Sequence, residues 1–152
     1  MENDLTLRAI LKTDCRTLWR WRNHPQVRRQ SKQTKFVSWQ QHRKWFCSKI
    51  NDRKTKIYLA ILDGNKIGVI RFEIEAKYVK VSVNLNPDFF GKGLGPKIIR
   101  MGTEMFLSQV RTNKSIIAEI KKQNIISQKA FSRAAYKFKE EKENNLFYEF
   151  SK

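Results

Sequence analysis

The sequence predicts a single mixed α+β domain over residues 1–152, and two observations predict it. Strand-patterned and helix-patterned segments intermingle along the chain, with no linker-like, repeated or low-complexity stretch between them. A glycine run, Gly91-Lys92-Gly93-Leu94-Gly95, joins the strand-like Tyr78–Asn86 to a helix-like segment opening near Pro96. Glycines at alternate positions keep side chains away from the backbone. The helix start beyond them adds unpaired N–H groups and partial positive charge. From the residues alone, the run is either a pyrophosphate cradle or an ordinary glycine-rich turn. It matches neither G-x-G-x-x-G nor G-x-x-x-x-G-K-[ST], so neither a dinucleotide fold nor a Walker NTPase is supported.

Each element has its own signal. Leu5, Leu7 and Ala9 alternate with polar residues and predict a first strand over Leu5–Leu11. Asp14 is the expected cap of a helix carrying Leu18, Trp19 and Trp21, which should stop before Pro25. After a polar loop, Gln30–Lys35, the capping-box pattern Ser38-Trp39-Gln40-Gln41 opens a helix bearing Trp45, Phe46 and Ile50. Lys56–Leu62 and Lys66–Ile74 form a hairpin around Asp63-Gly64-Asn65. Tyr78–Asn86 puts Val79, Val81, Val83 and Leu85 on one face, Ser82 and Asn84 on the other. Ile98, Gly102, Met105, Phe106 and Val110 fall near helical spacing. Ser115–Lys121 reads as a strand and Ser127–Ala135 as a helix with Ser127 at its cap. Tyr136–Glu141 and Leu146–Ser151 close the chain around Glu143-Asn144-Asn145.

The length suits one hydrophobic core. The longest apolar run, Ile57–Leu62, is too short to span a bilayer, and Met1-Glu2-Asn3-Asp4 shows no signal pattern. Cys15 and Cys47 form no CxxC or metal-ligand cluster, so free thiols in a reducing cytoplasm, and no metal, are expected. The formal charge of +18 fits a nucleic-acid or ribosome surface, attraction to polyphosphate substrates, or a lysine-rich proteome. Short groups such as Arg28-Arg29, Arg43-Lys44 and Lys121-Lys122 are scattered, without an aromatic RNA-binding signature, so nucleic acid is not favoured.

Two motifs together carry a family resemblance. Phe90-Gly91-Lys92-Gly93-Leu94-Gly95 is followed by Ala118-Glu119-Ile120-Lys121 and then Asn124-Ile125-Ile126-Ser127 through Ala135-Tyr136. In this order they resemble the GNAT superfamily of acetyl-CoA-dependent N-acetyltransferases. The resemblance implies a mixed, largely antiparallel sheet of six or seven strands, parted between its fourth and fifth strands and flanked by about four helices. It implies that Gly91, Lys92, Gly93, Leu94 and Gly95 hold the acetyl-CoA pyrophosphate, with Asn124 and Ser127 as further contacts. It places the Leu85 N–H at the thioester carbonyl, with Asn84 facing the acetyl group. Glu119 becomes the candidate base, a role it would share with ribosomal-protein N-acetyltransferases; otherwise it is a strand-face carboxylate paired with a lysine. Phe90 stands where the family has Gln or Arg, and Phe131 where a tyrosine often protonates the leaving thiolate. Ala135 replaces the usual glycine.

The acceptor is addressed by the N-terminal segment. Trp19-Arg20-Trp21-Arg22-Asn23-His24-Pro25, followed by Ser38 through Phe46, resembles the branch that acetylates UDP-linked amino-dideoxy sugars of the pseudaminic-acid type. Trp faces stack on sugars or uracil, and Arg22, Arg28 or Arg29 can grip a diphosphate. Trp21, Arg22, Asn23, His42 and Glu73 are the expected substrate contacts, with Trp19, Trp45 and Phe46 as core. The alternatives are a protein N-acetyltransferase and a non-catalytic nucleic-acid-binding module of the same fold. The chain is expected to act as a monomer or homodimer.

Overall fold

The computed structural model describes residues 4–151; the Met1–Asn3 start lies outside them. Seven strands form one sheet in the order β1-β2-β3-β4-β5-β7-β6. They are β1 (Leu5–Ala9), β2 (Thr55–Leu62), β3 (Asn65–Ile74), β4 (Val79–Leu85), β5 (Ile116–Lys121), β6 (Tyr136–Lys142) and β7 (Asn145–Phe150). The helices are α1 (Cys15–Asn23), α2 (Pro25–Gln30), α3 (Trp39–Ile50), α4 (Leu94–Gln109) and α5 (Ile125–Arg133). All neighbouring strands pair antiparallel except β4 and β5, which run parallel.

Strand alternation sends side chains into a core on each side of the sheet. On one side Phe72, Ile70, Val79, Val81 and Ala118 meet Ile98, Phe106 and Phe131 of α4 and α5, with Phe72 and Phe106 stacked at 4.6 Å. Gly102 lets α4 close on β3: a Cβ there would lie 2.8 Å from Ile70 Cγ2. On the other side Ile57, Leu59 and Val69 meet Leu18, Trp21 and Phe46 of α1 and α3. The β2–β3 register shifts at Ala60/Ile61, which lets Ile67 and Ile70 enter the same core.

The structure corrects three local expectations. Asp14 precedes α1 without capping it: its buried carboxylate accepts from the Leu11 N–H at 2.8 Å and pairs with Arg8 and Lys66. Pro25 starts a helix as well as stopping one, giving five helices where about four were expected. Proline lacks only an N–H that the first helical turn leaves unpaired, and His24 Nδ1 caps α2 through the Gln26 N–H. The cap of α5 is Asn124, not Ser127: the Ser127 N–H donates to Asn124 Oδ1 at 3.2 Å.

Candidate active site

The sheet opens beside β4. Pairing with β5 covers only Val79↔Ile116, Lys80↔Ile117 and Val81↔Ala118. Asn86 N–H donates to Ile67 O at 2.8 Å and Val79 N–H donates to Ser115 O at 2.8 Å. These two bonds set the parity of β4: Ser82 and Asn84 turn their backbone groups to β3, and odd-numbered residues turn theirs to β5. Beyond Val81, the N–H and C=O groups of Val83 and Leu85 therefore face a gap with no strand partner. Glu119 is the first β5 residue past the ladder.

The glycine turn borders this gap. Gly91 and Gly93 adopt φ 75° and 71°, a region that L side chains avoid, and no atom lies within 4 Å of a Cβ added to either. Gly93 precedes α4, which no side chain caps, so the first N–H groups of a long helix stay available. The helix starts at Leu94, two residues before the expected Pro96, leaving Leu94 and Gly95 buried inside its first turn. Lys92 is exposed, its Nζ 5.0 Å from the Phe89 ring. Phe90 meets the His24 ring edge-on at 6.2 Å, joining this turn to the α1–α2 corner.

A second set of polar groups lies on the sheet face under α1, α2 and α3. Lys80, Ser82 and Asn84 of β4 share it with Arg71 and Glu73 of β3. Glu119 joins them, because Ala118 and Ile120 point into the opposite core. The Glu119 carboxylate pairs with Lys32 and accepts from Asn145 Nδ2 at 3.1 Å. An open cavity of about 530 Å³ lies beside Asn145, lined by Arg29, Gln30, Lys121, Gln123 and Asn144 among others. Burial first, and then Lys32, pushes the Lys80 ammonium below its ordinary value, opposed by Glu73 and Glu119.

The expected substrate contacts divide under this geometry. Trp21 is 6% exposed and belongs to the core with Phe46, so its ring offers no open face for stacking. Asn23 spans α1 and the following loop, its amide donating to Val37 O and accepting from Val37 N–H, both at 2.8 Å. His42 is buried between Trp39 and Trp45, and its Nε2 donates to Cys15 O at 3.0 Å. Burial holds its pKa down, against that bond and helped by the Arg22 charge. Glu73 is closed by Lys49 and Arg71, each at 2.7 Å. These four positions hold structure together. Arg22 is different: its Nη2 donates to Gln33 O at 2.8 Å, while its Nη1 is buried without a partner.

Of the expected coenzyme contacts on α5, Asn124 Oδ1 is engaged as the helix cap and Ser127 is half-buried one turn on. Phe131 is 3% exposed, with its ring edge-on to Tyr136 at 5.1 Å. Lys32, Asn145, Arg71 and Lys80 were not anticipated. Period-two spacing could have grouped Lys80 with Ser82 and Asn84. No local signal marks Asn145, which reaches Glu119 only because β7 inserts between β5 and β6.

A mixed sheet parted beside an uncapped helix start defines an α+β fold built around a groove lined by backbone donors. The acetyltransferase (GNAT) domain family matches residues 4–137, and the chain belongs to that family of acetyltransferases. No curated protein sequence matches the chain. A solved domain from Methanocaldococcus jannaschii superposes with TM-score 0.83 at 20% identity, covering 97% of this chain and 98% of that one. Aminoglycoside acetyltransferase AAC(6')-Ib in complex with coenzyme A and kanamycin superposes with TM-score 0.78 at 18% identity, over 96% and 93%. Spermidine N-acetyltransferase from Vibrio cholerae, in complex with coenzyme A and spermine, gives TM-score 0.78 at 14% identity, over 95% and 92%. Among the described residues, no helix is long and apolar enough to cross a membrane, and no side-chain cluster could hold a metal.

Proposed function

We propose that the chain transfers the acetyl group of acetyl-CoA to a primary amine on a nucleotide-linked amino-deoxy sugar. The observation that carries the coenzyme reading is the β4–β5 gap with the uncapped α4 start at its border. The residues fit a coenzyme diphosphate: backbone N–H groups from Gly91 to Gly95 are unobstructed at Gly91 and Gly93, and Lys92 stands beside them. The exposed Phe90 ring offers contact area and no polar group. The free backbone groups of Val83 and Leu85 match the amides of an extended pantetheine arm. When bound, acetyl-CoA supplies the activated thioester.

The chain's own groups then have distinct tasks. Leu85 N–H is placed to take negative charge developing on the thioester oxygen. Asn84 and Ser82 orient the acceptor on the sheet face below α1. Glu119 removes the ammonium proton after the acceptor displaces Lys32 from its carboxylate. Phe131 has no proton to give, so the thiolate leaves unprotonated or takes a proton from water. Acceptance of an amine agrees with the acceptor classes of the neighbouring structures, which bind kanamycin and spermine. The buried, unpartnered nitrogens of Arg22 and Arg28 at the α1–α2 corner favour an anionic acceptor over those polycations.

The test is calorimetric titration with acetyl-CoA at low and high salt, then thiol release with UDP-amino sugars. Saturable binding that survives salt, with release dependent on the sugar nucleotide, is the expected outcome. Binding matched by any polyanion would sink the coenzyme reading, and release with a peptide alone would sink the acceptor.

A further inference from the structure

Charge is unevenly matched under the α1–α2 corner. Lys49 and Arg71 both find Glu73, and Lys32 finds Glu119. Arg22, at the end of α1, and Arg28, within α2, form no ion pair among the described residues. Arg22 Nη1 and Arg28 Nε are each buried without a hydrogen-bond partner. Burial, then the charges of Arg28 and Arg71, presses the Arg22 guanidinium below its ordinary value. A buried charged donor with no acceptor is among the costlier features a fold can carry. Two of them of the same sign, near enough for the Arg28 charge to bear on Arg22, need a reason beyond packing.

We infer that Arg22 and Arg28 together form the seat for a phosphate or diphosphate group carried by the acceptor. This deepens the proposed reading and rests on it. Guanidinium groups present planar donor pairs that match phosphate oxygens, and an incoming oxyanion satisfies both orphaned atoms while removing their mutual repulsion. The structure chooses among the three arginines the sequence offers. Arg29 is exposed and its Nε reaches the Pro25 carbonyl at 3.4 Å, so it has no comparable need. The same seat sets specificity by repulsion. A polycation such as kanamycin or spermine would bring like charge to two guanidinium groups that form no ion pair among the described residues.

The experiment is calorimetric titration of the full chain with UDP at physiological ionic strength, beside a separate titration with acetyl-CoA. The expected result is saturable UDP binding that inorganic pyrophosphate competes away. Arg22→Met and Arg28→Met should each weaken UDP by about tenfold or more, leaving acetyl-CoA affinity unchanged. Arg29→Met should leave both unchanged. Arg28 makes no side-chain bond among the described residues, so Arg28→Met should fold normally with Tm unchanged or raised, as relief of an unpaired charge requires. Absent UDP binding, an equal loss in Arg29→Met, or a loss of acetyl-CoA instead of UDP would overturn the assignment. So would a lowered Tm in Arg28→Met without loss of UDP, or thiol release with kanamycin or spermine as fast as with a UDP-amino sugar. Failure of acetyl-CoA alone to bind would strike the coenzyme reading and not the seat, since UDP is titrated separately.

Discussion

Asn145 Nδ2 donates to Glu119 Oε1 at 3.1 Å, from the first residue of β7 to the first residue of β5 beyond its ladder with β4. One carboxylate oxygen is thereby held while the other pairs with the exposed Lys32 side chain, which an acceptor ammonium can replace. Glu119→Gln keeps the shape and the Asn145 contact but cannot take a proton. It should lower kcat by about 10²-fold with acetyl-CoA affinity unchanged, read by steady-state thiol release and calorimetry. An unchanged kcat would reduce Glu119 to an ion-pair partner.

Gly93 separates two effects at the glycine turn. Its φ of 71° makes any side chain strained, while the space around it is open. Gly93→Ala should therefore cost about 1 kcal/mol of stability and weaken acetyl-CoA only modestly. Gly93→Asp adds a carboxylate where the diphosphate is expected and should abolish binding. Equal affinities for the two variants, measured by calorimetry, would place the coenzyme elsewhere.

Asp14 predicts the acid limb of stability. Burial raises its pKa, but hydrogen bonds from Arg8, the Leu11 N–H and Lys66 outweigh burial and hold the carboxyl far below its ordinary value. A folded pKa below the unfolded one contributes stability above about pH 4, lost as pH falls toward the folded pKa. Urea denaturation should show this decline in the wild type and a shallower one in Asp14→Asn. At neutral pH that variant should lose about 2 kcal/mol, because the partly exposed Arg8 and Lys66 then face a neutral amide.

Ala135 predicts a gain. It holds φ 70° one residue past the Ala134 cap of α5, at the position where the family pattern carries glycine. Ala135→Gly should remove strain of about 1 kcal/mol, partly offset by the freer unfolded chain. Thermal unfolding should show a higher Tm; a lower one would mean that the Ala135 methyl group packs usefully.

The elements were legible where the signal is local. Ser38 and Gln41 make the reciprocal capping bonds that their spacing announced. Asp63 and Gly64 both take positive φ in the hairpin turn. The alternation of β4 correctly separates Val79 and Val81 from Ser82 and Asn84. The surroundings of the expected substrate contacts were not legible, because aromatic and polar residues at helical spacing look alike whether they face open space or the core. Trp21 went to the core, and Asn23 went to the Val37 backbone. Each found a partner distant in sequence.

The chain's pattern alone determined its class, its glycine turn and the two-sided strands, because each depends on neighbours within a few residues. Tertiary packing decided which charges are matched. Glu73 lies within reach of Lys49 and Arg71, and Glu119 within reach of Lys32, leaving Arg22 and Arg28, each with one buried nitrogen, without an acidic partner among the described residues. Charge compensation depends on distance and burial, and the folding of β3, β5, α1 and α2 around one another sets both.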